Sequence, residues 1–182
     1  MKSISTLIVI IVSVACAMAF PHPAIAQCEQ ENVSVEFARL NLSGPRFGLT
    51  AIPGNTEIAK RVEEEGFGRV ISQFGWHFER VVVPVQDAPS FTVQLIPLIG
   101  GVEYGKVIPG ATLAMGIRFR RGFEFGMGPN IVFGREEPST SLVVAAGQNI
   151  NYSGISVPIN FAVATSPSGQ RYTLLVGYAI RR

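Results

Sequence analysis

Large apolar residues recur at every second position through long stretches of this chain. In 111–119, 123–133 and 155–163 they take the odd positions, and in 172–180 the even ones; all 21 sites are apolar, counting Pro129. Only 47% of the whole chain is hydrophobic, so an unbroken set of that size is a pattern rather than a consequence of composition. A period of two is the mark of a β-strand with one apolar face. The opposite faces carry Thr112, Gly116, Arg118, Glu124, Gly126, Gly128, Asn130, Ser156, Asn160, Thr173 and Gly177. Four further stretches, 46–52, 69–83, 91–99 and 142–150, complete eight predicted strands. Most run nine to eleven residues, longer than the usual five or six. One helix is expected, within 55–65: Asn55 or Thr56 caps it, Ile58 and Val62 lie one turn apart, and Gly66 ends it. The run Glu63-Glu64-Glu65 reads as its solvated face.

The turns set the registers. Arg120-Arg121-Gly122 fits a three-residue hairpin loop with glycine in the left-handed position. It opposes Phe119 to Phe123, Arg118 to Glu124, Ile117 to Phe125 and Gly116 to Gly126, so apolar meets apolar and arginine meets glutamate. A two-residue loop would set Phe119 against Glu124. By the same reasoning Ile150 and Ile155 close around Asn151-Tyr152-Ser153-Gly154, and Val163 and Tyr172 around Ser166-Pro167-Ser168-Gly169.

Two architectures satisfy the alternation. A soluble barrel or sandwich turns the apolar face inward. A membrane barrel turns it outward to lipid and keeps the small, polar face for the lumen. Strand length suits a tilted bilayer crossing. The polar face is rich in Gly, Ala, Ser and Thr, as a crowded eight-stranded lumen requires. Connections 53–68, 100–110, 134–141 and 164–171 read as longer or glycine-rich, whereas 120–122 and 151–154 are short, which is the loop asymmetry of such barrels. Hydrocarbon cannot satisfy a free strand edge, so the sheet must close. The prediction is an all-β, antiparallel, up-and-down transmembrane barrel of about eight strands over 46–182, preceded by a lead-in segment over 27–45.

The start of the chain adds an export route. Lys2, the apolar run from Ile4 to Ala19, the breakers Pro21 and Pro23, and Ala24-Ile25-Ala26 form the pattern of a cleaved signal peptide over 1–26. The run is short for a retained anchor. A lipoprotein site at Cys16 would have Ser13, not leucine, three places before it. Removing the leader takes Lys2 with it and leaves 14 basic against 13 acidic residues, with no basic stripe for nucleic acid. Lys60 and Lys106 are then the remaining lysines, an unusual poverty for a soluble exported surface. Cys28 remains alone, which excludes an internal disulfide. Asn32, Asn41 and Asn151 each begin an N-x-Ser triplet, relevant only in a glycosylating host.

The alternation Tyr172, Leu174, Val176, Tyr178 and Ile180 resembles the C-terminal strand of small eight-stranded outer-membrane β-barrel proteins of Gram-negative bacteria, and the run "GFEFGMGPN" (122–130) is similar to stretches in uncharacterised members. The end departs from that pattern, because Arg181 and Arg182 follow Ile180. The resemblance implies outer-membrane insertion by the barrel-assembly machinery, with outer-membrane lipid as the surrounding partner and a monomeric state. It implies no particular ligand.

Candidate polar residues on the non-apolar face are Gln73, His77, Glu79, Arg118, Glu124, Asn130, Asn160 and Arg171, read as a lumen hydrogen-bond network in which His77 meets Arg118 or Arg171. Arg118 opposite Glu124 reads as a structural pair. Trp76 is expected to face lipid. No metal cluster, phosphate loop or thiol pair is present in the sequence, so no cofactor is expected. The expected role is structural or surface-interactive and non-enzymatic. Two alternatives stand beside it: a soluble periplasmic barrel or sandwich holding a lipid-like ligand, and a membrane-embedded hydrolase using His77. The hydrolase would need a nucleophile beside that histidine, and Ser72 lies on the other face.

Overall fold

The computed structural model describes residues 40–83, 89–134 and 137–180. The predicted signal peptide, Cys28 and most of the lead-in segment lie outside the described residues. Among the described residues nine strands form one antiparallel sheet: β1 (Gly44–Ala51), β2 (Val70–Val83), β3 (Ser90–Gly100), β4 (Ile108–Arg118), β5 (Phe123–Phe133), β6 (Pro138–Tyr152), β7 (Ile155–Ser166), β8 (Gly169–Gly177) and the short β9 (Ala179–Ile180). Each strand pairs with the next in sequence, and β1 pairs with β8, which closes the sheet into an up-and-down barrel. β9 pairs with the start of β7. It continues the path of β8 beyond a break at Tyr178, so the predicted last strand 172–180 is divided in two and the barrel wall is eight strands thick around.

The chain enters at Gly44 and β9 finishes at the same end, here called the terminal end. The connections there are 84–89, 119–122 and 153–154. At the opposite, loop end lie 52–69, 101–107, 134–137 and 167–168. The last two are shorter than the glycine content suggested, because β6 and β7 extend to Pro138 and Ser166. β1 also begins two residues before the predicted start of the barrel.

The hairpin after β4 has the expected register, with Arg118 opposite Glu124, Ile117 opposite Phe125 and Gly116 opposite Gly126. Gly122 takes φ 83°, and Phe119 N donates to Phe123 O at 2.8 Å. Val163 pairs with Tyr172 as expected. The β6–β7 hairpin differs. Tyr152 pairs with Ile155 and Ile150 with Val157, so the loop is the two residues Ser153 and Gly154, not four. Both have positive φ, 49° and 83°, the requirement of a primed two-residue turn whose twist matches its strands.

The apolar positions face outward. Phe125, Ile159 and Leu174 are 43%, 37% and 48% exposed, and Trp76 is exposed with them. The strands contain six charged residues, Arg46, Glu79, Arg80, Arg118, Glu124 and Arg171; only Arg80 points outward. The usual burial rule is thus inverted.

The helix α1 (Glu57–Glu64) lies at the loop end. Thr56 is its N-cap, its hydroxyl accepting from Ala59 N at 3.3 Å. Ile58 and Ala59 are buried against Ile52, Phe67 and Ile71, with Val62 and Ile108 packed beside them. Those five residues form an apolar cluster over the barrel mouth. One side of the helix is tied to the β7–β8 turn by Ile58 N donating to Ser168 O at 3.1 Å. On the other side Lys106, from the β3–β4 loop, donates to Glu65 O and stands 4.8 Å over the Phe67 ring. The Phe67 and Tyr104 rings meet edge to face at 5.7 Å. Among the described residues no helix is long and apolar enough to cross a membrane, a statement with no bearing on crossing by strands.

Candidate functional site

Eight strands of alternating residues leave a lumen just wide enough for side chains, and its two halves are filled differently. In the terminal half the fill is ionic. Arg118, on the last position of β4, is fully buried. Its Nη1 donates to Glu79 Oε1 at 2.7 Å and to Leu40 O at 3.0 Å. Its Nη2 donates to Glu79 Oε2 and, at 2.8 Å, to Glu124 Oε2; its Nε reaches Glu124 Oε2 at 3.2 Å. These bonds occupy the five N–H groups of a guanidinium. Ser90 and Thr92 on the intervening strand β3 are small and buried, which leaves space for Arg118 and Glu79 to meet.

The carboxylates are satisfied in turn. Glu79 Oε1 accepts from Leu42 N at 3.1 Å, and Glu124 Oε1 accepts from Asn160 Nδ2 at 2.5 Å. Arg46, from β1, donates through Nη2 to Leu42 O at 2.8 Å and to His77 Nδ1 at 2.6 Å. A guanidinium can only donate, so Nδ1 is the acceptor toward Arg46, and the same nitrogen lies 3.2 Å from Leu42 O. Nε2 is buried and has no partner among the described residues. Two guanidinium and two carboxylate groups thus balance around the His77 ring.

The chain leading into β1 completes this plug. Leu42 is 1% exposed, and the backbone of 40–43 inserts among the charges, with Ser43 Oγ accepting from Glu79 N at 2.9 Å. Glycines make room on the wall: a Cβ on Gly177 would strike the Arg46 guanidinium, and one on Gly147 would strike the Asn160 amide.

In the loop half the lumen is open. A cavity of about 420 Å³ lies between the ionic plug and helix α1. One side is apolar, formed by Ile71, Ile96, Leu98, Ile108 and Val132 with Ile58 on the helix above. The other side is polar and belongs to β5, β6 and β8. There Asn130 Nδ2 donates to Thr112 Oγ1 at 2.9 Å, and Ser141 Oγ donates to Asn130 Oδ1 at 3.2 Å. Arg171 Nη2 donates to Asn130 Oδ1 at 3.1 Å and to Ser141 Oγ at 2.8 Å. Both acceptors are neutral, and among the described residues no ion pair includes Arg171.

The eight residues singled out from sequence therefore divide. His77, Glu79, Arg118, Glu124 and Asn160 form the terminal cluster. Asn130 and Arg171 form a separate polar patch, and Gln73 lines the cavity wall, outside the ionic cluster. His77 meets neither Arg118 nor Arg171. Its guanidinium partner is Arg46, which sequence reasoning passed over. The signal was available in the phase of β1: Phe47, Leu49 and Ala51 face out, so Arg46 and Thr50 face in. The plug contributed by Leu40 to Ser43 carried no such signal, because its contacts to the charged side chains are made by backbone atoms.

No hydroxyl is bonded to His77 among the described residues, and its Nδ1 is held by a cation. That arrangement does not prepare a general base for a nucleophile. No described group of three or more His, Cys, Asp or Glu could hold a metal ion.

Comparison with known proteins adds one solved structure. Ail, the attachment invasion locus protein of Yersinia pestis, matches at 11% identity with a TM-score of 0.44, over 79% of this chain and 99% of that one. No family model matches, and no curated protein matches. The barrel assignment stands on the strand pairings themselves.

Proposed function

We propose that this chain is an outer-membrane β-barrel with a structural or surface-interaction role, exported by a signal peptide cleaved after Ala26. The observation that carries this reading is the outer wall. Phe47, Leu49, Phe74, Leu113, Met115, Phe161 and their neighbours form a continuous apolar belt, and the single outward charge within the strands, Arg80, lies toward the terminal end. Water would penalise that surface, whereas acyl chains would not. Trp76, Phe78, Phe119, Phe123 and Tyr152 gather toward the terminal end, as an interfacial aromatic girdle would. The terminal end then faces the periplasm and helix α1 the exterior.

A wide pore does not fit this reading, because the ionic plug and the inserted 40–43 segment fill the terminal half. Partners would be outer-membrane lipid and, during insertion, the barrel-assembly machinery. The test is fractionation. The protein should remain with envelope membranes after carbonate washing and migrate differently on gels before and after boiling. Recovery in the clear osmotic-shock fraction would overturn the reading in favour of a soluble barrel.

A further inference from the structure

The two halves of the lumen differ in charge balance, and that difference points to a ligand. In the terminal half the buried charges balance as a group: Arg118 is paired with Glu79 and Glu124, and Arg46, whose own hydrogen bonds go to neutral acceptors, brings the count to two cations and two anions. In the loop half Arg171 stands among neutral acceptors, on the wall of a cavity whose other side is aliphatic. A cation beside low-polarity walls costs free energy unless an anion accompanies it. Of the carboxylates that line the cavity, Glu124 is committed to Arg118, and neither Glu65 nor Glu137 makes an ion pair with Arg171 among the described residues. The volume, about 420 Å³, falls within the range of small-molecule sites, roughly 300–1,000 Å³. Such sites pair apolar walls with a few fixed polar groups, and this cavity has that division.

We infer that the loop-half cavity is a binding site for a single-chain amphiphile with a monoanionic head. The head lies against the Arg171 guanidinium and the Asn130 and Ser141 groups that orient it. The chain lies along Ile96, Leu98, Ile108 and Val132, beneath Ile58 of helix α1. A sugar would leave that aliphatic wall in contact with polar hydroxyls and gain nothing from it. A cationic amphiphile would oppose Arg171. The helix is held over the mouth by a backbone bond to Ser168 and by Lys106, so it covers part of the opening.

The test uses the full chain reconstituted in phosphatidylcholine vesicles, with radiolabelled dodecanoate as the probe and protein-free vesicles as the background. Saturable, stoichiometric binding above background is expected. Dodecyltrimethylammonium should compete poorly. Ala162→Phe, which projects a ring into the cavity from β7, should abolish binding. Arg171→Gln should weaken dodecanoate by about tenfold and leave 1-dodecanol unchanged, because a charge-assisted bond is lost. Arg171→Lys should restore most of the preference for the anion. Correct folding of each variant is read from the gel shift on boiling. The inference is overturned if a folded Ala162→Phe barrel binds dodecanoate as the parent does, if Arg171→Gln leaves the affinity intact, or if the cationic amphiphile competes equally. The site belongs to the inner wall and does not depend on the medium outside. Should the barrel not enter vesicles, the outer-membrane reading fails and the same titration in buffer still decides the site.

Discussion

The two ends of one lumen solve the same packing problem in opposite ways. At the terminal end long charged side chains fill the space and neutralise one another, with five donors of Arg118 matched to five acceptor contacts. At the loop end short and aliphatic side chains leave a void, and one arginine is balanced only by neutral oxygens. A filled, charge-paired region resists change, because removing any member strands the others. A void with a lone cation tolerates change and has room for something else. Sequence position alone would have grouped Glu79, Arg118 and Arg171 together as lumen charges; their environments assign them different consequences.

The difference makes quantitative predictions. The largest effect is expected for Glu79→Gln, which leaves Arg118 buried with one carboxylate in place of two. A loss of about 3–5 kcal/mol is expected, read as a lowered urea midpoint of the refolded barrel. Asn160→Ala should cost less, about 1.5–3 kcal/mol, since it removes one bond to the charged Glu124 and leaves the ion pair intact. Gly177→Ala pushes a methyl against the Arg46 guanidinium and should cost about 1–3 kcal/mol by overpacking; recovery of stability in the double variant with Arg46→Ala would tie the loss to that contact. Arg171→Gln, by contrast, should change stability by less than about 1 kcal/mol in either direction, because no ion pair is broken. A loss as large as that of Glu79→Gln would erase the distinction between the two halves.

The smallest effect lies outside the wall, at Glu103 in the β3–β4 loop. Its carboxylate accepts from Ser72 N at 2.6 Å and from Ser72 Oγ at 2.5 Å. Burial acts to raise its pKa, but the two hydrogen bonds outweigh that and hold it below the model-compound value of 4.5. A depressed carboxyl stabilises the fold above its unfolded value and loses that contribution as pH falls through the folded one. The expected outcome is a slight drop in thermal midpoint below about pH 4.5 that Glu103→Gln abolishes; the exposed setting keeps it small.

Much of this was written in the alternation. The outward row Phe123, Phe125, Met127, Ile131 and Phe133, and the loop Arg120-Arg121-Gly122, were enough to place Arg118 opposite Glu124, because a period of two and a three-residue turn leave one register. The same logic failed at 151–154. There two turn lengths were both compatible with the apolar pattern, and the choice was made by Ser153 accepting a left-handed backbone. Pairing between neighbours in sequence is local, and local rules predict it.

What folding added concerns residues far apart in the chain. Alternation says that His77, Glu79, Arg118 and Arg171 face inward, but not which of them meet. Their heights along the barrel depend on strand stagger and closure, which bring β1 to β8 and set Arg46, not Arg118, beside His77. The insertion of Leu40 to Ser43 and the seating of helix α1 over the mouth likewise come from tertiary packing. Composition and period decided a barrel with an apolar outside; the division of its interior into an ionic plug and a chamber where Arg171 stands among neutral acceptors was decided in three dimensions, where charge balance depends on distance rather than on order in the sequence.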